Sequence, residues 1–186
     1  MDKLLQAIQF ATSRHAKQLR KDNVTPFISH PLSVALILSE FTSDNEILAA
    51  GVLHDVLEDT NTTVDELKKK FGVRVAKIVF ECSESDKSKS WEKRKAESFG
   101  KIKTLSKEAV LVKLADILHN MFQTVDQVKE FGPSFLYKFS ASPIRKFEVE
   151  RSRLEEFRKY HKQKKLILLI DGYLVLLEKT AAKLAR

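Results

Sequence analysis

The chain has 186 residues, 43 % of them hydrophobic and 31 % charged, with a net charge of +8. That size and balance exclude a disordered chain and a membrane protein, and allow one domain to bury its own core. Five Gly and four Pro supply too few turns for a many-stranded sandwich or barrel, and the single cysteine, Cys82, excludes an intramolecular disulfide or a thiolate metal cluster within one chain.

Met1 to Phe10 carries Asp2 and Gln6 and lacks the apolar core of a signal peptide. Leu4, Leu5, Ala7, Ile8, Ala11, His15 and Leu19 fall on one face of a first helix, which Asp22–Pro26 breaks. Pro31 stands where a second helix starts, continued by Leu32, Val34, Ala35, Ile37 and Leu38. Ser43–Glu46 has the form of a capping box, opening a helix through Val52 and His54 to about Asp59. Thr63–Glu66 repeats that form, and Gly72 closes the short helix that follows. Val73–Cys82 is apolar and β-branched, and its context favours helix. Ser83–Ser90 reads as a loop, Trp91 to about Leu105 as a basic helix with Trp91 as a packing anchor, and Ala109–Phe122 as a central buried helix. Gly132-Pro133 and Pro143 punctuate the next stretch. Ile144–Lys165 is then a charged amphipathic helix and Leu166–Leu184 a final packing helix. The longest apolar run, Leu166–Ile170, is too short to span a bilayer. The expected product is an all-α protein of eight to ten helices. No linker or repeat divides it, so residues 1–186 read as a single globular domain with packing helices over 133–186.

The charge is uneven. Residues 85–107 and 143–165 each carry a net +5, while residues 1–84 carry −2. Two basic segments on a near-neutral remainder suit an anionic partner such as a nucleotide, a nucleic acid or polyphosphate. Solvated helix faces account for the same pattern.

Polar groups recur where the apolar pattern points inward. They are His30 beside Pro31, the run His54-Asp55-Val56-Leu57-Glu58-Asp59, Asp116 between Ala115 and Ile117, and Asn120 four residues on. An ionised carboxylate such as Asp116 is costly among apolar neighbours unless it is paired or binds a metal. On a continuous helix Glu58 and Asp59 follow His54 and Asp55 at i+4, placing four titratable groups along one edge. Two His and two Asp make a nitrogen and oxygen donor set for one divalent cation, and those donors suit Mn²⁺, Fe²⁺, Co²⁺ or Zn²⁺ alike. Glu58 and Asp59 then stand just outside the ligands, where a general base belongs.

The order His30, His54-Asp55, Asp116 is the signature of HD phosphohydrolases. With His15-Ala16-Lys17-Gln18-Leu19-Arg20-Lys21, Thr25–Pro31, Leu53–Thr60 and Val112–Met121, the chain resembles the hydrolase domain of the RelA/SpoT family over residues 5–122, and in particular the stand-alone small alarmone hydrolases. The resemblance implies that His30, His54, Asp55 and Asp116 ligate one metal, Mn²⁺ being usual in that family. It implies that Glu58 and Asp59 activate and orient water, that Arg20 and Lys21 meet the guanosine, and that Asn120 meets the ribose and phosphate region. The implied reaction removes the 3′-pyrophosphate of ppGpp or pppGpp, giving GDP or GTP and pyrophosphate. Phe27, Ile117 and Phe122 depart from the residues common there. Arg94 and Lys95, with Lys87, Lys89 and Lys93, are further candidates for phosphate contact; Arg145 and Lys146 are weaker ones. His15 is expected to pack or hydrogen-bond near Arg20, His119 to be a satisfied helix histidine, His161 to be exposed, and Lys113 to meet an internal carboxylate or a phosphate.

The partner this implies is a small-molecule nucleotide, with no membrane, nucleic acid disfavoured, a homo-oligomer allowed, and the cytoplasm as the location. Two other readings compete: an HD-type phosphatase of NADPH or another phosphorylated nucleotide, and a catalytically silent basic module that binds nucleotide or nucleic acid.

Overall fold

The computed structural model describes residues 2–83 and 88–185. Among them are ten α-helices and no strand: α1 (Lys3–Arg14), α2 (Ser29–Ser39), α3 (Asn45–Leu53), α4 (Val56–Asp59), α5 (Val64–Phe71), α6 (Val73–Cys82), α7 (Trp91–Ile102), α8 (Lys107–Phe131), α9 (Pro143–Tyr160) and α10 (Lys164–Leu184), with a 3₁₀ turn at Pro133–Lys138. The all-α expectation holds. Much of the loop expected at Ser83–Ser90, with Lys87, lies outside the described residues, as does the side chain of Trp91. Among the described residues no helix is long and apolar enough to cross a membrane.

The chain groups into two compact units, Met1–Lys87 with Leu105–Asp116, and Ser88–Thr104 with Ile117–Arg186. In the first, α1 and α2 both pack on α3, and α3 and α5 pack on α6. Every residue of α3 from Ile47 to Leu53 is buried, so this helix is apolar all round and central to the unit. Its Gly51 leaves room for a side chain of α2: a Cβ there would stand 2.4 Å from Leu38 Cδ1. The first part of α8 adds Ala109, Val112 and Ala115 to the same core. Helix ends follow local chemistry. The Thr63 side chain accepts from Glu66 N at 3.2 Å to open α5, as expected. Gly72 ends it at φ +90°, a backbone that disfavours other residues, and α6 starts at once. The cap of α3 is Asp44 rather than Ser43: its carboxylate accepts from Glu46 N at 2.9 Å. Asp44 is thereby held on Arg74 at 2.7 Å, which also meets Glu46 at 2.9 Å.

In the second unit α9 packs on α10 and on α7, and the 3₁₀ turn packs on α10. Arg153 pairs with the buried Glu150 at 2.5 Å, and Arg151 bridges to Glu178 at 2.8 Å and to Asp171. Several boundaries differ from expectation. α2 begins at Ser29, two residues before Pro31, because the Phe27 and Pro26 carbonyls already accept from His30 N and Ser29 N at 3.0 and 3.1 Å. α8 runs on to Phe131, as Gly132, at φ +82°, is the first residue that stops it. The last two helices part at His161–Gln163, not at Lys165. His161 is not exposed: it is half-buried, and its Nε2 bonds Ile102 O at 2.7 Å, an orphan carbonyl at the end of α7.

Candidate metal centre and hydrolytic site

The first unit brings four of the expected donors together. His30 Nε2 lies 3.2 Å from Asp116 Oδ1 and 3.6 Å from Asp55 Oδ2. His54 Nε2 lies 3.2 Å from Asp55 Oδ2 and 3.9 Å from Asp116 Oδ1. Donor atoms of His30, His54 and Asp116 all lie within 4.8 Å of one another. Both imidazoles are buried, at 1 % and 4 % exposure. The carboxylates are half-buried, Asp116 included, so its expected burial is only partial: α8 turns one side of it to solvent.

Three elements deliver these groups. His30 sits in the first turn of α2, followed by Pro31, whose missing N–H has no helical partner to lose there. Asp116 projects from α8. His54 and Asp55 occupy a break that the sequence did not reveal: the expected single helix to Asp59 is two helices, α3 ending at Leu53 and α4 starting at Val56. Asp55 takes φ −95° and ψ −9°, the sparsely populated bridge region, and Glu58 N and Asp59 N bond back to its carbonyl at 3.1 and 2.9 Å. Side chains adjacent in a regular helix diverge by about 100°. The break is what lets neighbouring His54 and Asp55 aim at one point, and the four groups do not share one continuous helix.

The donor set suits a divalent cation. His54 Nδ1 bonds Gly51 O at 2.7 Å, and a carbonyl can only accept, so Nδ1 carries the hydrogen. Nε2 is left as the nitrogen that faces the carboxylates, buried and 3.2 Å from Asp55 Oδ2. Such outward anchoring is the usual support of a metal-binding imidazole. Bonds of about 2.1 Å at right angles put neighbouring donors about 3.0 Å apart, and tetrahedral ones about 3.4 Å; the distances here lie close to that range. Protonation shows the same crowding. Burial opposes charge on His54, yet the carboxylates of Asp55 and then Asp116 carry its pKa up to about 9. Burial holds His30 below its ordinary value against the pull of Asp116. Burial pushes Asp55 up, but the His54 charge beside it leaves the net shift downward. The site holds more negative charge than its imidazoles offset, which one cation remedies.

Glu58 and Asp59 are half-buried on α4. Arg20 follows α1 in a short loop, half-buried, its guanidinium 5.6 Å over the Phe27 ring. Burial lowers its pKa, while the charges of Asp116, Asp55, Asp22 and Asp59 oppose that shift, so it faces the carboxylate cluster. Lys21 is exposed. Asn120, Arg94 and Lys95 are half-buried and belong to the second unit. Lys89 there is held by Glu97 at 2.8 Å. Lys113 meets a backbone carbonyl rather than a carboxylate: its Nζ donates to Cys82 O at 2.6 Å, Cys82 being the last residue of α6. His15 packs as expected, stacked on Phe27 with ring centroids 4.8 Å apart. Gln18 was missed. Its amide reaches His15 and the Asp59 carbonyl, each at 2.6 Å; the only signal was its position three residues after a helix-end histidine.

A family model described as "HD domain" matches residues 7–133. The human protein named guanosine-3′,5′-bis(diphosphate) 3′-pyrophosphohydrolase MESH1 is 35 % identical over 164 residues, covering 84 % of this chain and 91 % of that one. The Aquifex aeolicus guanosine-3′,5′-bis(diphosphate) 3′-pyrophosphohydrolase is 41 % identical over 123 residues, covering 64 % of this chain and 17 % of its own length. A solved structure described as "A metazoan ortholog of SpoT hydrolyzes ppGpp and plays a role in starvation responses" superposes with a TM-score of 0.76 at 26 % identity, covering 95 % of this chain and 96 % of that one.

Proposed function

The chain belongs to the HD-domain family, and from that premise we propose that it hydrolyses the 3′-pyrophosphate of ppGpp and pppGpp. The reading is supported by its match across 91 % of the human MESH1 hydrolase. The observation that carries it is the convergence of His30, His54, Asp55 and Asp116, with His54 Nε2 buried and facing the two carboxylates.

In this reading those four side chains hold one divalent cation, Mn²⁺. When bound, the ion supplies Lewis acidity, acidifying water and polarising a phosphoryl oxygen. Glu58 and Asp59, on α4 directly after the break, take the proton of the attacking water and orient it. Water oxygen bonds to the phosphorus on ribose O3′, the P–O3′ bond breaks, and O3′ takes up a proton, so one water converts ppGpp to GDP and pyrophosphate. Arg20 and Lys21 hold the guanosine end, and Asn120 the ribose and phosphate region. Arg94 and Lys95 offset phosphate charge. Cys82, a free buried thiol whose pKa burial pushes up to about 12, fits a reducing cytoplasm.

The test is to reconstitute the protein with Mn²⁺ and incubate it with ppGpp, NADPH and dNTPs, resolving products by chromatography. GDP and pyrophosphate from ppGpp, lost on chelation and regained with Mn²⁺, are expected. Faster release of phosphate from NADPH, or no turnover of ppGpp with any divalent metal, overturns the assignment.

A further inference from the structure

We propose that Gln18 is a positioning residue for the Glu58–Asp59 pair, with its amide set by His15. The inference rests on the hydrolase reading and adds to it a residue that touches neither metal nor substrate.

The backbone first fixes where Gln18 stands. α1 ends at Arg14, and His15 N bonds Ala11 O at 2.9 Å. Gln18 N then bonds His15 O at 3.0 Å, and Gln18 O accepts from Phe27 N at 2.9 Å. Main-chain bonds thus tie the residue in both directions. Its side chain reaches 41 positions along the chain, with Nε2 donating to Asp59 O at 2.6 Å.

That carbonyl matters because α4 has only four residues. So short a helix makes few internal bonds and leaves its carbonyls without helical partners, so its position depends on outside groups. Two such groups stand at its end. Thr60 Oγ1 donates to Val56 O at 2.6 Å from within the same segment, and Gln18 donates to Asp59 O from a distant one. Gln18 therefore joins the loop that carries Arg20 to the helix that carries Glu58 and Asp59.

The chemistry of the chain of bonds allows one orientation. A carbonyl only accepts, so Gln18 must present its NH₂ to Asp59. Its Oε1 then faces His15 Nδ1 at 2.6 Å, and that nitrogen must carry the hydrogen. His15 Nε2 is buried and without a hydrogen-bond partner. The ring is 2 % exposed and stacked on Phe27, so it has little freedom to turn. A flipped amide would oppose two carbonyl oxygens.

Two variants and one measurement on the native protein test this. Gln18→Met keeps volume and removes both bonds; Gln18→Glu sets a carboxylate against the Asp59 carbonyl. Displacing catalytic groups by about 1 Å costs on the order of 100-fold in rate. We expect kcat for ppGpp to fall about 10- to 100-fold in both variants, with KM and Mn²⁺ affinity within about threefold of native and an unchanged circular dichroism spectrum. In the native protein, ¹⁵N–¹H correlation of the histidine rings should find His15 as the Nδ1–H tautomer. Native kcat in either variant, loss of Mn²⁺ affinity in step with kcat, or an Nε2–H tautomer at His15 overturns the proposal. Glu58→Gln is the separate control: if it retains kcat, the hydrolytic reading itself fails, whatever Gln18 does.

Discussion

Gly51→Ala is expected to destabilise the native protein yet stabilise a Leu38→Ala variant. The added Cβ would stand 2.4 Å from Leu38 Cδ1, while Ala35 Cα and Val34 Cγ1 are at a comfortable 3.7 Å. Carbon atoms settle at roughly 3.5–4.0 Å, so Leu38 must retreat by over about 1 Å. It is fully buried, and forced repacking of that kind costs about 1–3 kcal/mol. The better helix propensity of Ala returns about 0.8–1 kcal/mol, leaving a net loss of up to about 2 kcal/mol. Leu38→Ala alone costs about 2–5 kcal/mol through its cavity. In the double variant the clash is gone and the propensity gain remains, so Gly51→Ala becomes stabilising by about 1 kcal/mol. Urea unfolding of all four proteins gives the coupling directly, and each kcal/mol also moves Tm by about 2–4 °C at this chain length. The native-background loss should also reach the metal centre, because Gly51 O is the acceptor of His54 Nδ1. Additivity of the two substitutions within about 0.5 kcal/mol, or a gain from Gly51→Ala in the native background, refutes the reasoning.

Asp116→Ala removes a donor that lies 3.2 Å from His30 Nε2; Mn²⁺ affinity, followed by electron paramagnetic resonance titration, should drop by more than about 100-fold, and a drop of under tenfold counts against Asp116 as a ligand. With the cation stripped, His54 holds a proton up to about pH 9, so metal must displace that proton at neutral pH. Calorimetry at pH 7.5 in buffers of different ionisation enthalpy should record release of about one proton per site, and none released would show that His54 is neutral before the metal arrives. Acid stability should depend on Arg74. Its hydrogen bond holds Asp44 below the ordinary carboxylate range, and Lys3, then Arg74, do so for Glu46. Both carboxylates are depressed, so their contribution is full above the unfolded pKa and fades as pH falls through the lower folded values. Arg74→Met should therefore lower urea midpoints at pH 7 and flatten their decline between pH 5 and pH 3, whereas parallel curves for the two proteins would contradict it.

The helical class, most helix positions and the four donors were legible because they rest on local patterns: apolar spacing, the Thr63 cap, and Gly72 as a stop. What escaped notice shares a different origin. The break at His54-Asp55 has no Gly or Pro to mark it, and it is held by contacts of the Asp55 carboxylate with His30, 25 positions away in sequence, and of the His54 imidazole with Asp116, 62 positions away. The gap after Tyr160 is similarly unmarked, and there His161 is held by Ile102 O, 59 positions back. Lys113 and Gln18 both end on backbone carbonyls. Carbonyls are the same at every position, so no residue pattern announces which of them a side chain will find. Asp44 displaced Ser43 as the cap because Arg74 and Glu46 also hold it in place.

The interruption between α3 and α4 also limits how this protein can be made more robust. Consensus or propensity-guided changes that knit Leu53 to Val56 into one smooth cylinder would raise thermal tolerance while moving Asp55 off target. Engineers seeking a hardier variant should leave that joint alone and spend their substitutions on the outer faces of α5, α9 or α10.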